Sequence, residues 1–225
     1  MRRRRAILIL LMLPTLVAQG PGATAQAPTS PVEATVADEK GKPIEDAVVS
    51  LIALGAAAPA SPPPASAKMD QHDKEFVPYV LPIYIGTSVT FPNRDNIRHH
   101  VYSFSSAKKF ELPLYIGTPA APVVFDKPGV VALGCNIHDW MLAYIYVLTT
   151  PYFAKTGSDG KARVEGLAPG AYEARVWHPR LRGDSEKTGK PLSLAAGEPA
   201  QVAFVVSLKS EWRIPRRLVD PYKGS

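Results

Sequence analysis

Cysteine is nearly missing from this chain: a single thiol, Cys135, stands in 225 residues. No intramolecular disulfide can form, so the thiol needs another reason to be there. Long apolar runs are also missing. The longest, residues 6–18, is broken by Pro14 and falls short of the ~20 residues a spanning helix needs. It follows four arginines (Arg2, Arg3, Arg4, Arg5) and precedes small-residue cleavage sites at Ala23-Thr24-Ala25 and Ala25-Gln26-Ala27, so residues 1–27 read as an export signal. The mature product is then expected to be soluble and without stable membrane insertion, in the periplasm of a two-membrane host. Excess charge is lacking as well. The chain has 26 basic and 20 acidic side chains, but four arginines and no acids lie in the signal, which leaves 22 against 20, a net of +2. That balance excludes a nucleic-acid partner, and the basic cluster at residues 213–217 reads as part of a solvated tail.

Helical periodicity is scarce. Short β-branched and aromatic runs punctuated by Gly, Pro and Asn recur throughout, which predicts an all-β chain. Residues 32–36 and 47–54 read as strands around a turn at 38–43. Residues 55–67, rich in Ala, Pro and Ser, are too small in their side chains to pack and read as a linker. A similar pattern resumes later: a hairpin turn at 156–161, a short strand at 162–165, a second turn at 167–170, and strands at 171–177 and 201–208. Residues 209–225 form the tail.

The chemistry concentrates in Cys135-Asn136-Ile137-His138-Asp139-Trp140-Met141. A buried Cys, a core Met or a surface His is ordinary when met alone. Here the Cys ends one apolar run and the Met opens another, so thiolate, imidazole and thioether fall on one tight inter-strand loop. With one more imidazole these are the donors of a blue-copper electron-transfer site: soft sulfur favours Cu(I), and imidazole accepts both oxidation states. The extra imidazole is offered by His99 or His100. Neighbouring side chains of a strand point to opposite faces, so only one of the two can look at the Cys loop. His72 and His178 lie outside the pattern and are expected at the surface. Trp140, Tyr102 and Phe104 are candidates to shield the site from water.

Residues 68–149 resemble a cupredoxin. The resemblance is carried by Phe76-Val77-Pro78, by Ile85-Gly86-Thr87-Ser88-Val89-Thr90-Phe91-Pro92-Asn93, by Phe125-Asp126-Lys127-Pro128-Gly129 and by the Cys loop, whose Cys-x2-His-x2-Met spacing is similar to the short ligand loop of amicyanins. The wording His-His-Val-Tyr-Ser-Phe with Gly-Cys-Asn-Ile-His-Asp-Trp-Met is similar to exported bacterial plastocyanin-like proteins of the methylamine-utilisation type. The resemblance implies a Greek-key β-sandwich holding one type 1 copper. It implies His99, Cys135 and His138 as the ligand plane and Met141 as the weak axial donor. It also implies Asn93 and His100 as supporting residues: Asn93 hydrogen-bonding near the Cys, and His100 in the place of an Asn that ties the two ligand loops together. Residues 32–54 and 152–208 together resemble a carboxypeptidase regulatory-like, transthyretin-type β-sandwich, on Gly41-Lys42-Pro43-Ile44, Asp159-Gly160-Lys161 and Leu167-Ala168-Pro169-Gly170-Ala171-Tyr172. The cupredoxin segment is then expected to be inserted into a loop of that smaller sandwich.

The function that follows is single-electron transfer, with a c-type cytochrome or a periplasmic dehydrogenase as redox partner. One four-donor site without a second metal cluster predicts a carrier and not an enzyme. Copper storage or delivery is the alternative, weakened because only Met69 and Met141 remain after the signal. A structural envelope protein with a metal-free cupredoxin segment is the third reading, and the intact donor set argues against it.

Overall fold

A computed structural model describes residues 29–55, 65–119 and 121–210. The expected signal, the middle of the linker and most of the tail lie outside them. The strands are β1 (Ser30–Asp38) and β2 (Val48–Ala53), then β3 (Ser66–Lys68), β4 (Asp70–His72), β5 (Glu75–Val77), β6 (Val80–Tyr84), β7 (Ser88–Thr90), β8 (His99–Ser105), β9 (Lys108–Tyr115), β10 (Val123–Val124), β11 (Gly129–Gly134) and β12 (Leu142–Leu148). The chain closes with β13 (Phe153–Lys155), β14 (Lys161–Leu167), β15 (Gly170–Trp177), β16 (Lys190–Leu194) and β17 (Ala200–Val206). One short 3₁₀ turn, Ser185–Thr188, is the only helical element among the described residues. No helix among them is long and apolar enough to cross a membrane.

Strand pairing divides the chain into two bodies. The first and last strands pair with each other: β1 lies between β14 and β17, and β2 between β13 and β15, with β16 beyond. Period-two burial explains the layer they make. Val32, Ala34 and Val36 of β1 and Val202, Phe204 and Val206 of β17 point inward, while Glu33 and Thr35 face out. They meet Val49, Leu51, Tyr172, Ala174 and Val176 of the opposite sheet in one closed core. β14 runs on to Leu167, which is fully buried rather than part of a turn, because Gly166 adopts φ +79 and bulges the strand. Gly160 is required by space: a Cβ there would sit 2.5 Å from the Val36 carbonyl oxygen.

The central strands pair only among themselves. A five-stranded sheet, β6-β12-β11-β8-β9, faces a three-stranded sheet, β10-β7-β3, with the β4–β5 hairpin alongside. Phe91, Phe125, Val101, Val131, Leu133 and Ile145 fill the space between them, with Cys135 and Met141 in the same cluster. Ser66 and Ala67, expected in the linker, already belong to β3, which runs parallel to β7. The return to the flanking body is short. The Thr150 hydroxyl donates to the Leu51 carbonyl at 2.6 Å, and the Leu51 N–H to the Tyr152 carbonyl at 2.9 Å. Across the joint, Tyr144 and Tyr146 project from the outer face of β12 and Trp177 from β15. The Trp177 ring lies 4.6 Å from that of Tyr146, over Val48, Val80 and Leu148.

Two sheets that share one core unfold together, and the two chain segments are interleaved in both: the first supplies β1 and β2, which lie inside the two sheets, and the second the strands on either side of them. Deleting residues 68–148 and closing the gap with a short Gly/Ser loop is expected to leave the flanking body folded, as a single cooperative thermal transition. Its midpoint is expected to fall because Val48 and Trp177 lose their cover, roughly 1.5–3 kcal/mol for each large apolar side chain exposed. Fragments carrying only residues 28–54 or only 152–210 are expected to show no cooperative transition.

Candidate metal centre

His99 opens β8, whose inward side is His99, Val101 and Ser103, and whose outward side is His100, Tyr102 and Phe104. The alternation chooses between the two histidines. His99 is 0% exposed and turns toward Cys135, while His100 lies on the other face, its Nε2 2.9 Å from Glu111 Oε1 but at an angle that makes no hydrogen bond. On the second loop, Gly134 pairs with Leu142 across β11 and β12, so residues 135–141 form an excursion between two hydrogen-bonded strands. The Met141 N–H closes that excursion onto the His138 carbonyl at 2.9 Å. Cys135 is 3% exposed, Met141 2% and His138 9%.

The donors converge. His99 Nδ1 lies 3.2 Å from His138 Nδ1 and 4.0 Å from Cys135 Sγ, and His138 Nδ1 lies 3.7 Å from the same sulfur. A triangle with those sides has its centre about 2.1 Å from every corner, which is the length of a metal–imidazole bond, about 2.0–2.1 Å. Two like nitrogens at 3.2 Å have no reason to face each other unless a proton or a metal ion lies between them. The residues therefore fit a metal held in a trigonal plane of two imidazole nitrogens and one sulfur, with Met141 buried in the same core.

The support beneath the plane is a carboxylate. His99 Nε2–H donates to Asp95 Oδ2 at 2.7 Å, which leaves Nδ1 bare and turned to the site. Asp95 also accepts the backbone N–H groups of Asp73 at 2.7 Å and Lys74 at 2.8 Å. Burial pushes the Asp95 carboxyl up, but the His99 bond, the two amides and the charge of His99 outweigh it, and the group sits below its ordinary value. Burial likewise raises the Cys135 thiol. The side-chain contact with His99, the backbone N–H groups of Ile137 and His100, and the positive charge of His99 when it is protonated reverse this and lower it, favouring the thiolate a metal requires. For His99, burial pulls the value down, while Cys135 and Asp95 lift it to a net rise.

Several expectations are corrected by these contacts. Asn93 does not reach Cys135 by any of its hydrogen bonds. Its Nδ2 donates to the carbonyls of Ile97 and Tyr115, both at 2.8 Å, and its Oδ1 accepts from the Asp95 N–H at 3.0 Å, so it shapes the loop that carries Asp95. The His100 ring does not tie the two ligand loops together: it turns to Glu111 on β9. Phe104 is 78% exposed and shields nothing, while Tyr102 packs over Gly134, where an added Cβ would meet its ring at 2.7 Å. Trp140 does cover the site, its ring 5.1 Å from that of His138. His178, expected at the surface, is buried at the end of β15, with its Nδ1 accepting the Arg180 N–H at 3.1 Å. His72 is exposed as expected. It groups with Asp73 and Asp95, but Asp95 is already committed to His99 and to two amides, so this cluster reads as the outer side of the His99 support. Asp95 itself escaped the sequence reading, where the signal was a carboxylate four residues before the ligand.

A bracket of this kind typically carries 10- to 100-fold in metal affinity. Asp95→Ala is expected to weaken metal binding by about that factor, measured by competition with a chelator at neutral pH. In the metal-free protein the depressed Asp95 group stabilises the fold fully above its unfolded value of 3.8 and loses that contribution as pH falls through the lower folded value. The variant is expected to lack this part of the acid transition.

No family model matches the sequence, and no curated protein matches it. Solved structures do. A Cu-containing nitrite reductase (NirK) from Thermus scotoductus SA-01 is 29% identical over 43% of this chain, with a TM-score of 0.34, and this chain spans a quarter (25%) of its length. A purple cupredoxin from Nitrosopumilus maritimus is 24% identical over 36% of this chain and 99% of its own, with a TM-score of 0.33. An oxidised amicyanin mutant is 18% identical over 46% of this chain and 100% of its own, with a TM-score of 0.34. Each likeness covers less than half of this chain, and the three TM-scores stay below 0.5.

Proposed function

We propose that the protein is a type 1 copper electron carrier of the cupredoxin kind, exported to the periplasm, with its metal unit inserted into a carboxypeptidase regulatory-like sandwich. The observation that carries this reading is the convergence of His99 Nδ1, His138 Nδ1 and Cys135 Sγ on one point about 2.1 Å from each. Copper, when bound, supplies the one-electron couple. Cys135 would contribute the anionic sulfur, His99 and His138 the imidazole nitrogens, and Met141 a weak thioether that would tune the potential. With the donors this closed to water, the site favours retaining the ion over handing it on as cargo. His138 keeps the largest exposure of the donor residues and sits beside the half-exposed Ile137, which makes this edge the point of approach. A c-type cytochrome or a periplasmic dehydrogenase meeting a small apolar patch there fits a transient redox encounter.

The purified protein is expected to take up one copper(II) per chain and show an intense visible thiolate-to-copper band. Cys135→Ser is expected to abolish the band, since a neutral hydroxyl cannot replace a polarizable thiolate. A wild-type protein that takes up copper without the band, or a Ser variant that keeps it, would sink the reading. Met141→Gln is expected to retain the metal and lower the reduction potential in voltammetry, an amide oxygen favouring Cu(II) more than a thioether does. His99→Ala is expected to lose the band, and His100→Ala, whose ring faces Glu111 on the other side of β8, to keep it.

A further inference from the structure

We infer that the β4–β5 hairpin is a single strut that positions both histidine donors, with Trp140 as the positioning residue on its second arm. This rests on the proposed metal site. One arm runs from the hairpin tip to His99: the Asp73 and Lys74 N–H groups donate to the two oxygens of Asp95, which accepts from His99 Nε2. The other arm leaves the same tip in another direction. The Lys74 carbonyl accepts the Trp140 indole N–H at 3.1 Å, and the Trp140 ring packs at 5.1 Å against His138. Asp73 and Lys74 thus reach both ligand loops through three backbone groups, although 66 residues separate Lys74 from Trp140.

The tip can act as a strut because its geometry and its base are fixed. Asp73 and Lys74 both take positive φ, +54 and +59, the pair of a two-residue hairpin turn, between the register pairs His72↔Glu75 and Gln71↔Phe76. At the base, fully buried Gln71 donates its N–H to the Pro92 carbonyl at 2.9 Å and accepts the Arg94 N–H at 2.9 Å, and Phe76 enters the core. The base is therefore tied to the chain that leads into the Asp95 loop. An indole N–H can only donate, so the Lys74 carbonyl fixes the azimuth of the Trp140 ring and, through ring contact, that of His138. The two Nδ1 atoms lie 3.2 Å apart, and through the shared hairpin tip the two rings do not move independently.

Trp140→Phe keeps the ring and removes the donor. In the metal-free protein it is expected to speed hydrogen exchange at the Asp73 and Lys74 amides roughly five- to tenfold, the size of one hydrogen bond. It is also expected to let His99, held as the Nε2–H tautomer in the wild type, populate both tautomers in nitrogen-15 ring spectra. Asp95→Asn is the reciprocal variant, expected to speed exchange of the Trp140 indole N–H. Copper-loaded, each variant is expected to release the ion to a chelator several-fold faster, and the double variant to fall short of the product of the two effects. Unaltered amide exchange and His99 tautomer in Trp140→Phe, or release rates that multiply in the double variant, would overturn the strut. The exchange and tautomer readings need no metal, so a wild type without the copper band would defeat the proposed function while leaving the strut tested.

Discussion

Burying a thiol and two imidazoles at the end of an apolar core is unfavourable unless each polar atom finds a partner, and the central body is arranged around that requirement. Cys135 is served by His99 and by two backbone amides, His99 by Asp95, and Asp95 by Asp73 and Lys74. Asn93 holds the Asp95 loop in shape through Ile97 and Tyr115. At the centre of this network His99 Nδ1, His138 Nδ1 and Cys135 Sγ face one another at 3.2–4.0 Å. The surrounding strands and loops fix the positions of all three donors.

The same economy of position explains the loop between β11 and β12. Gly134 and Leu142 stand opposite each other in the β11–β12 ladder, so the seven residues between them must leave the sheet and return within one strand spacing. Gly134 has no room for a side chain under Tyr102, which seats the strand end closely against β8 and brings the sulfur within reach of the His100 amide. Tyr102 is thus a packing residue one layer behind the metal plane. The ring that closes the site, Trp140, comes from the loop itself.

Legibility followed distance along the chain. The all-β class, most strands of the flanking body and the rule that only one of His99 and His100 can face the Cys loop follow from period-two patterns within a few residues, while the preference for His99 comes from the resemblance. Asp95 escaped the sequence reading, because its role depends on Asp73 and Lys74 arriving from a hairpin some twenty residues earlier. Trp140 could be read as a shield, but its partner, a backbone carbonyl at Lys74, has no sequence signature. His178 looked like a surface residue because nothing near it in sequence announces the packing that covers the end of β15. Gly166 hides similarly: a glycine before a Leu-Ala-Pro-Gly run reads as the start of a turn, whereas its positive φ bulges the strand and lets Leu167 complete the core.

The parallel pairing of β1 with β17 has a mechanical consequence. Seven residue pairs, from Val32↔Ala200 to Asp38↔Val206, join the first described strand to the last. Tension that draws the start of β1 and the end of β17 apart acts along both strands and loads that ladder in shear, so its hydrogen bonds share the force rather than opening one after another. The central body leaves from β2 and returns to β13, which are themselves neighbours in one sheet. It therefore hangs outside the line of force, and a pull on the chain reaches the flanking sheets before it can alter the spacing of the three donors.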